Sequence, residues 1–186
     1  MSALAPENAE KSRAEIQSEF NQVVALKDVS FKVKKGETFV VMGLSGSGKS
    51  TLVRCLIRLI ETTSGSIFVE EEDITSLSER ELRDFRRTKI SMVFQNFGLL
   101  PHRNVMDNAC YGLEVKGISR LERYEKAQKM LDLVGLNGWE DSRVSQLSGG
   151  MQQRVGLAGA LAVEPEILLM DEAFSALAPS LRRQRK

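Results

Sequence analysis

The sequence has little histidine and cysteine, almost no net charge and no long apolar run. Its one histidine and two distant cysteines, Cys55 and Cys110, form no metal-binding pattern and give no sign of an oxidising compartment. The formal net charge of +1 provides no overall attraction for nucleic acid or an anionic membrane. No apolar stretch approaches the ~20 residues of a membrane span. Because residues 1–13 also lack the apolar core of a signal peptide, the chain is expected to be cytoplasmic.

The composition and the order of patterns predict one α/β domain with a helical insert. With 186 residues, 42% hydrophobic and 27% charged, the chain can bury a substantial core. Continuous apolar runs at residues 39–42, 90–94 and 167–170 predict buried strands, and 23–33 alternates as a half-buried strand does. Buried strands that alternate with helices favour a mainly parallel sheet. Residues 104–162 are predicted to be nearly all helical, with one helix over 104–115 capped by Asn104 and an amphipathic helix over 121–134, which indicates an inserted α-helical subdomain.

A glycine-rich loop lies between the predicted strand 39–42 and a predicted helix over 50–60. It fits the pattern G-x-x-x-x-G-K-[ST], which surrounds the phosphates of a nucleoside triphosphate with backbone N–H groups. In this P-loop, Lys49 would reach the β- and γ-phosphates and the Ser50 hydroxyl would bind Mg²⁺. The alternative is an ordinary Gly/Ser turn before a helix. The predicted nucleotide-binding residues of this loop are Gly43, Leu44, Ser45, Gly46, Ser47, Gly48, Lys49, Ser50 and Thr51.

Two carboxylates, Asp171 and Glu172, follow the apolar run 167–170. Ligands bind at the carboxyl ends of parallel strands, so both side chains are expected beside the P-loop. Asp171 would hold Mg²⁺ through its water shell, and Glu172 would act as general base on the attacking water. Alone, an apolar run that ends in two acids is a weak signal, and it gains weight from the P-loop upstream.

A second anion-binding helix start is predicted at Ser148, Gly149 and Gly150, followed by Gln152. A serine cap on a flexible loop is the alternative. However, residues 147–154 match the signature sequence of ABC-type ATPases, and the chain resembles ABC transporter ATPase subunits from about residue 24 to residue 181. Within that family it is most similar to glycine betaine/proline (quaternary amine) importers. The segments that carry this resemblance are residues 42–55, 92–97, 100–102, 107–108 and 171–177.

The resemblance implies an ATPase that uses ATP and Mg²⁺. Gln95 corresponds to the family's Q-loop glutamine, which contacts Mg²⁺ and the attacking water. The signature of one subunit closes over the γ-phosphate held by another, which implies a head-to-tail homodimer. A membrane permease and, indirectly, a solute-binding protein are the other expected partners, on the inner face of the cell membrane.

The polar composition of the start predicts that residues 1–22 form a disordered segment and a short helix over 9–20, and the resemblance assigns residues 23–186 to the ATPase domain. Within that domain, 23–95 and 163–181 form the nucleotide-binding core of the P-loop NTPase fold, and 96–162 form the helical subdomain with the signature. The expected function is ATP-driven import of glycine betaine, proline or a related compatible solute.

Several departures from the family pattern keep a second hypothesis open. Ala178 stands where the family has Asp, and Gly159 stands where it usually has Arg. The switch histidine and an adenine-stacking aromatic are not found, so the domain is expected to be incomplete at both ends. The alternative is therefore a truncated nucleotide-binding homologue without effective turnover. A DNA-repair type of ABC ATPase is disfavoured by the short helical insert, and no nucleic-acid partner is expected.

Overall fold

The computed structural model describes residue 11 and residues 13–171, and the chain divides into two compact units, residues 1–60 and 61–186. The first unit contains α1 (Arg13–Phe20) and α2 (Lys49–Cys55). Helix α1 lies within the short helix predicted from the sequence and buries Ile16. Predictions for residues 1–10 and 172–186 lie outside the described residues.

Helix α2 begins directly after the glycine-rich loop, as predicted, but is shorter than the predicted helix over 50–60. The Leu59 N–H donates to the Arg54 carbonyl at 2.9 Å, and the Arg58 N–H donates to the Cys55 carbonyl at 2.9 Å. These are the two hydrogen bonds of a Schellman ending, and Arg58 takes its left-handed position with φ 51°. Cys55, whose place on the apolar face of α2 favours burial, is buried.

The strands predicted at residues 23–33 and 39–42 are wrong. Both segments lack regular secondary structure, and the apolar run is exposed, with Met42 at 86%. A strand exists through hydrogen bonds to a neighbouring strand, and no strand pairing involves residues 13–60 of the described chain. The two segments meet through side chains instead: the rings of Phe31 and Phe39 stack with centroids 4.8 Å apart. Asp28, with φ 53°, interrupts the first segment.

The second unit starts with a small antiparallel hairpin of β1 (Phe68–Val69) and β2 (Glu72–Asp73). The acidic run at 70–73 supplies both the turn and β2. Helix α3 (Glu79–Thr88) follows and begins with a capping box, as a serine followed three residues later by a glutamate indicates. The Glu81 N–H donates to the Ser78 hydroxyl, and the Ser78 N–H donates to the Glu81 carboxylate at 2.8 Å.

Two parallel strands, β3 (Ile90–Val93) and β4 (Ile167–Met170), form the sheet that positions the candidate site. They pair in register from Ile90 opposite Ile167 to Val93 opposite Met170. Val93 is buried against Ala160, with Leu157 and Leu168 packed on the same cluster. This pair agrees with the α/β class and the parallel pairing predicted for these two apolar runs.

The helical part lies between β3 and β4 in sequence, as predicted. It contains α4 (Val105–Ala109), α5 (Tyr111–Val115), α6 (Arg120–Leu133) and α7 (Gly149–Ala162), with a 3₁₀ turn at Val144–Gln146. The single helix expected over 104–115 is two helices, because Cys110 with φ −92° and ψ 0° interrupts the regular geometry. Within residues 13–171, no helix combines the length and apolar character that crossing a membrane requires.

The core of the helical part is made by α4, α6 and α7. Helix α6 begins at the Ser119 cap and is followed by Gly135 with φ 70°, close to the predicted bounds of 121 and 134. Its buried residues Ala127 and Leu131 pack with residues of the other two helices. The buried members of this core are Val105, Met106, Ala109, Cys110, Ala127, Leu131, Leu136, Leu147, Val155 and Ala158.

Candidate functional site

The glycine-rich loop closes around the ammonium group of Lys49. The Lys49 Nζ donates to the carbonyl oxygens of Gly43 at 2.9 Å and Leu44 at 2.8 Å. The Ser47 N–H donates to the Leu44 carbonyl at 3.2 Å, which closes a turn inside the loop. The Lys49 ammonium group thus lies against the predicted loop and contacts two of its carbonyl oxygens.

Glycine is required at two positions of this loop by backbone geometry. Gly46 and Gly48 have φ 77° and 96°, in the left-handed region that favours residues without a Cβ. A Cβ on Gly48 would also lie 2.8 Å from the Ala25 carbonyl oxygen and 3.1 Å from a methyl carbon of Leu26. The left-handed conformation and the close approach of residues 25–26 together explain why this position of the motif is glycine.

Gln95 and Asp171 lie at the same edge of the parallel pair. Val93 and Met170 are the last paired residues of β3 and β4, and Asp171 follows directly while Gln95 follows after one residue. The Asp171 N–H donates to the Val93 carbonyl at 3.0 Å, which extends the pairing. Asp171 is 2% exposed and Gln95 is exposed. Both residues therefore lie at the carboxyl ends of these strands, while Glu172 lies outside the described residues.

The loop that carries Gln95 has an uncommon backbone. Phe97 and Gly98 are both left-handed, with φ 62° and 63°. The Phe97 N–H donates to the Phe94 carbonyl at 3.0 Å, and the Gly98 N–H donates to the Asn96 carbonyl at 2.7 Å. A bulky aromatic residue in this region is rare. Residues 94–98, called the Gln95 loop below, are therefore a tightly turned and strained segment.

The predicted signature forms the start of α7 and adjoins the Gln95 loop. Ser148 is the N-cap, and its hydroxyl accepts from the Met151 N–H at 3.3 Å. A Cβ on Gly149 would lie 3.8 Å from the ring of Phe97. Gln152, predicted to bind nucleotide, donates its amide to the carbonyls of Val144 and Leu147 at 3.2 and 3.1 Å. In this structure its Nε2 therefore holds the turn before the signature.

Two supports of the signature were not identified from the sequence. The guanidinium of Arg154 donates to the carbonyls of Val134 and Gly135 at 3.0 and 3.3 Å, at the end of α6. Cations favour helix C-termini, and an arginine inside the signature segment was the available signal. The second support is a pair of backbone bonds from Val105 and Met106 to residues 142 and 140, which anchor the approach to the signature.

The second unit contains several predicted site residues, while the P-loop residues belong to the first unit. The second-unit residues are Gln95, Asp171, Ser148, Gly149, Gly150 and Gln152. Within residues 13–171, no three His, Cys, Asp or Glu side chains cluster as a metal cage. Mg²⁺ commonly takes one or two protein oxygens together with substrate phosphates. The Ser50 hydroxyl next to Lys49 suits that mode of binding.

Comparison with known proteins identifies the family. Residues 26–175 match the family described as ABC transporter. Over 93% of its length the chain is 56% identical to the glycine betaine transport ATP-binding protein OpuAA of Bacillus subtilis, of which it covers 41%. It is 56% identical to the glycine betaine/carnitine transport ATP-binding protein GbuA of Listeria monocytogenes and covers 44% of it. The chain therefore spans less than half the length of these curated relatives.

Solved structures agree with these matches. A dimeric structure of an ATP-binding cassette in a post-hydrolysis state, bound to ADP and Pi, is 38% identical with a TM-score of 0.77. The match covers 82% of this chain and 67% of that chain. A dimeric bacterial ABC transporter cassette is 36% identical with a TM-score of 0.79, and the match covers 86% of this chain and 71% of that one. The fold and the sequence together place this chain in the ABC transporter family, as an ATP-binding cassette of the P-loop NTPase fold.

Proposed function

We propose that this chain is the ATP-binding and ATP-hydrolysing part of a transporter that imports glycine betaine, proline or a related compatible solute. The observation that carries the proposal is the loop of residues 43–51, closed on the ammonium group of Lys49. Support for the solute class comes from the relatives at 56% identity, whose names specify glycine betaine transport. The cassette would act on the cytoplasmic face of the membrane, together with a permease to which a solute-binding protein delivers the solute.

The P-loop residues would bind the triphosphate. Phosphate oxygens compete with the carbonyls of Gly43 and Leu44 for the Lys49 ammonium group, and a charged partner makes the stronger hydrogen bond. The left-handed glycines Gly46 and Gly48 allow successive backbone N–H groups to point at an anion. The Ser50 hydroxyl, one residue further, would complete the contacts on the metal side. Bound Mg²⁺ would neutralise charge on the transferred phosphate.

The residues at the carboxyl edge of β3 and β4 would act on the attacking water. Gln95 would hold that water and reach the metal, and Asp171 would hold the metal through its water shell. Glu172, next to Asp171 in sequence, would take the proton of the water as general base. The common edge of Gln95 and Asp171 supports this division of roles, because ligands bind at the carboxyl ends of parallel strands.

The signature would act on nucleotide bound to a second copy of the chain. Ser148, Gly149 and Gly150 start α7, a helix of 14 residues, where N–H groups and the helix dipole favour an anion. Two solved relatives are dimeric cassettes, one of them with ADP and Pi bound. A head-to-tail homodimer would place the signature of each subunit on the γ-phosphate of the other.

The proposal is tested by measuring phosphate release and Mg·ATP binding with the 186-residue chain and two variants. We expect the wild type to bind and hydrolyse ATP. The variant Lys49→Ala should bind ATP weakly, since it lacks the ammonium group that contacts the phosphates. The variant Glu172→Gln should bind ATP but release little phosphate, since it lacks the base.

The three proteins together separate the possible outcomes. Equal background phosphate release by all three would contradict hydrolysis by this chain. Saturable Mg·ATP binding by the wild type without turnover would instead favour a nucleotide-binding homologue, the alternative hypothesis from the sequence. A Lys49→Ala affinity equal to that of the wild type would contradict the P-loop as the binding site.

A further inference from the structure

Gln153 on α7 is a buried polar side chain to which the proposed mechanism gives no role. It is 3% exposed, and neither its Nε2 nor its Oε1 has a hydrogen-bond partner within the described part of the chain. Its neighbour Gln152, by contrast, uses its Nε2 on two carbonyls. Burial of a polar group without a partner is costly, and such costs in native proteins call for an explanation, often at a functional site.

Gln153 lies on the face of α7 that packs against the Gln95 loop. Residues 149, 153 and 156 lie on one face of a helix, since they are four and three positions apart. Gly149 and Gly156 both contact Phe97: their Cβ positions lie 3.8 Å from its ring and 3.0 Å from its carbonyl oxygen. Gln153 therefore lies between two residues that pack on the Gln95 loop.

The same loop holds strain next to this unpartnered amide. Phe97 has φ 62°, a conformation that is unfavourable for a bulky side chain. Gly156 permits the close approach of the Phe97 carbonyl, because any larger residue would place a Cβ 3.0 Å from that oxygen. A strained backbone and an unsatisfied amide thus occur on two segments that pack against each other through Gly149 and Gly156. A change in the loop that relieved the first could also supply partners for the second.

We propose that Gln153 is a positioning residue for the Gln95 loop in the nucleotide-bound state. When Phe97 leaves its left-handed conformation, Gln153 Nε2 donates to a carbonyl of the loop and its Oε1 accepts from a loop N–H. These bonds fix the loop with Gln95 directed at the nucleotide. The inference rests on the proposed role of Gln95. Nucleotide can shift the loop only if it makes a better contact with one loop conformation than with the other, and Gln95 would make that contact.

The variant Gln153→Leu tests the proposal, because leucine has a similar volume and no polar atoms. Without nucleotide we expect this variant to be more stable than the wild type, with a higher urea midpoint, since it removes an unsatisfied buried amide. With Mg·ATP we expect a smaller thermal stabilisation and a kcat lower by about ten- to a hundred-fold, with a smaller change in KM. Gln153→Asn, which retains an amide on a shorter side chain, should lie between the two.

A matched control is Gln128→Leu on α6. The amide of Gln128 donates to the carboxylates of Asp132 and Glu140 at 2.9 and 2.8 Å, so it has partners in the resting structure. The same substitution should therefore lower stability there and leave kcat and the thermal effect of Mg·ATP unchanged. The opposite signs of the two stability changes separate an unpaired amide from a paired one.

Each other outcome overturns the inference. A Gln153→Leu variant less stable than the wild type would mean that the amide is already paired without nucleotide. Greater stability with wild-type kcat would mean that the amide has no role in positioning. Failure of the wild type to bind Mg·ATP would overturn the proposed function together with this inference. Normal wild-type turnover and an unchanged variant would overturn this inference alone.

Discussion

Asn108 and Leu100 are joined by a reciprocal pair of hydrogen bonds. The Leu100 N–H donates to the side-chain oxygen of Asn108 at 2.7 Å, and the Asn108 amide donates to the Leu100 carbonyl at 3.1 Å. The same amide reaches the carbonyls of Arg103 and Asn104 at 3.2 and 2.8 Å. One buried side chain on α4 thus closes the segment 100–104, which follows the Gln95 loop in sequence.

The substitution Asn108→Leu should destabilise the chain by about 2–3 kcal/mol, because it removes the part-buried hydrogen bonds of this side chain, including the one that the Leu100 N–H donates. Urea denaturation measures this loss. The matched control is Asn137→Leu, since Asn137 is exposed and the substitution there should change stability by no more than about 0.5 kcal/mol. Equal losses for the two variants would mean that the Asn108 bonds contribute nothing beyond the change of residue type.

Local signals in the sequence predicted the features that depend on neighbouring residues. The capping box of Ser78 and Glu81 and the N-cap Asn104 are both present, since a cap needs only the next turn of its own helix. The predicted strand that ends near Met170 is also present. Asp171 therefore follows β4 directly, and the signature begins α7.

Features that depend on a distant partner could not be predicted in the same way. The run 39–42 has the composition of a buried strand, yet it is exposed, because a strand also requires a hydrogen-bonded neighbour that composition does not specify. The unpaired amide of Gln153 is equally invisible in the sequence, where it is one of two adjacent glutamines. Whether that amide has a partner depends on which residues pack around α7, and only the structure shows this.

The substitution Gly48→Ala should disrupt the P-loop more than the strain of a left-handed alanine alone would. Gly36→Ala is the matched control: Gly36 has φ 77°, but a Cβ there would meet no atom within 4 Å. Backbone strain should therefore cost about 1 kcal/mol at either position. Gly48→Ala should lose more, since its Cβ would lie 2.8 Å from the Ala25 carbonyl. We expect urea midpoints in the order wild type, Gly36→Ala, Gly48→Ala, and weaker Mg·ATP binding for Gly48→Ala alone.

Two glycines of α7 should respond in opposite directions to alanine. Alanine is favoured over glycine in a helix by about 0.5–1 kcal/mol. At Gly159 the new Cβ would lie 3.4 Å from the Asn108 carbonyl oxygen, an ordinary contact, so Gly159→Ala should keep most of that gain. At Gly156 it would lie 3.0 Å from the Phe97 carbonyl, and moving that backbone should cost about 1–3 kcal/mol. Urea denaturation of both variants is the test, and equal gains would contradict the tight contact.

Acid should weaken the ion-pair network of Glu114. Both terminal nitrogens of the Arg103 guanidinium donate hydrogen bonds to the Glu114 carboxylate, at 3.0 and 3.1 Å. The Arg123 guanidinium lies 3.3 Å from the same carboxylate. The hydrogen bonds from Arg103 hold the pKa of Glu114 below its ordinary value of 4.5. A carboxyl group with a lowered pKa in the folded state contributes stability above pH 4.5, which is lost as the pH falls through that value and the folded-state pKa.

The variant Glu114→Gln should therefore be less stable than the wild type at neutral pH. Its stability should also fall less than that of the wild type as the pH is lowered. Urea midpoints measured from about pH 7 to about pH 3 should converge with those of the wild type in the acid window, since the wild-type carboxylate is protonated there. Glu125→Gln on α6 is the control: it removes an exposed carboxylate, and its urea midpoint at neutral pH should stay close to that of the wild type. Both partners are partly solvated, so raised salt should reduce the difference between wild type and Glu114→Gln. Parallel profiles for Glu114→Gln and the wild type across the acid window would contradict a stabilising role for the Glu114 network.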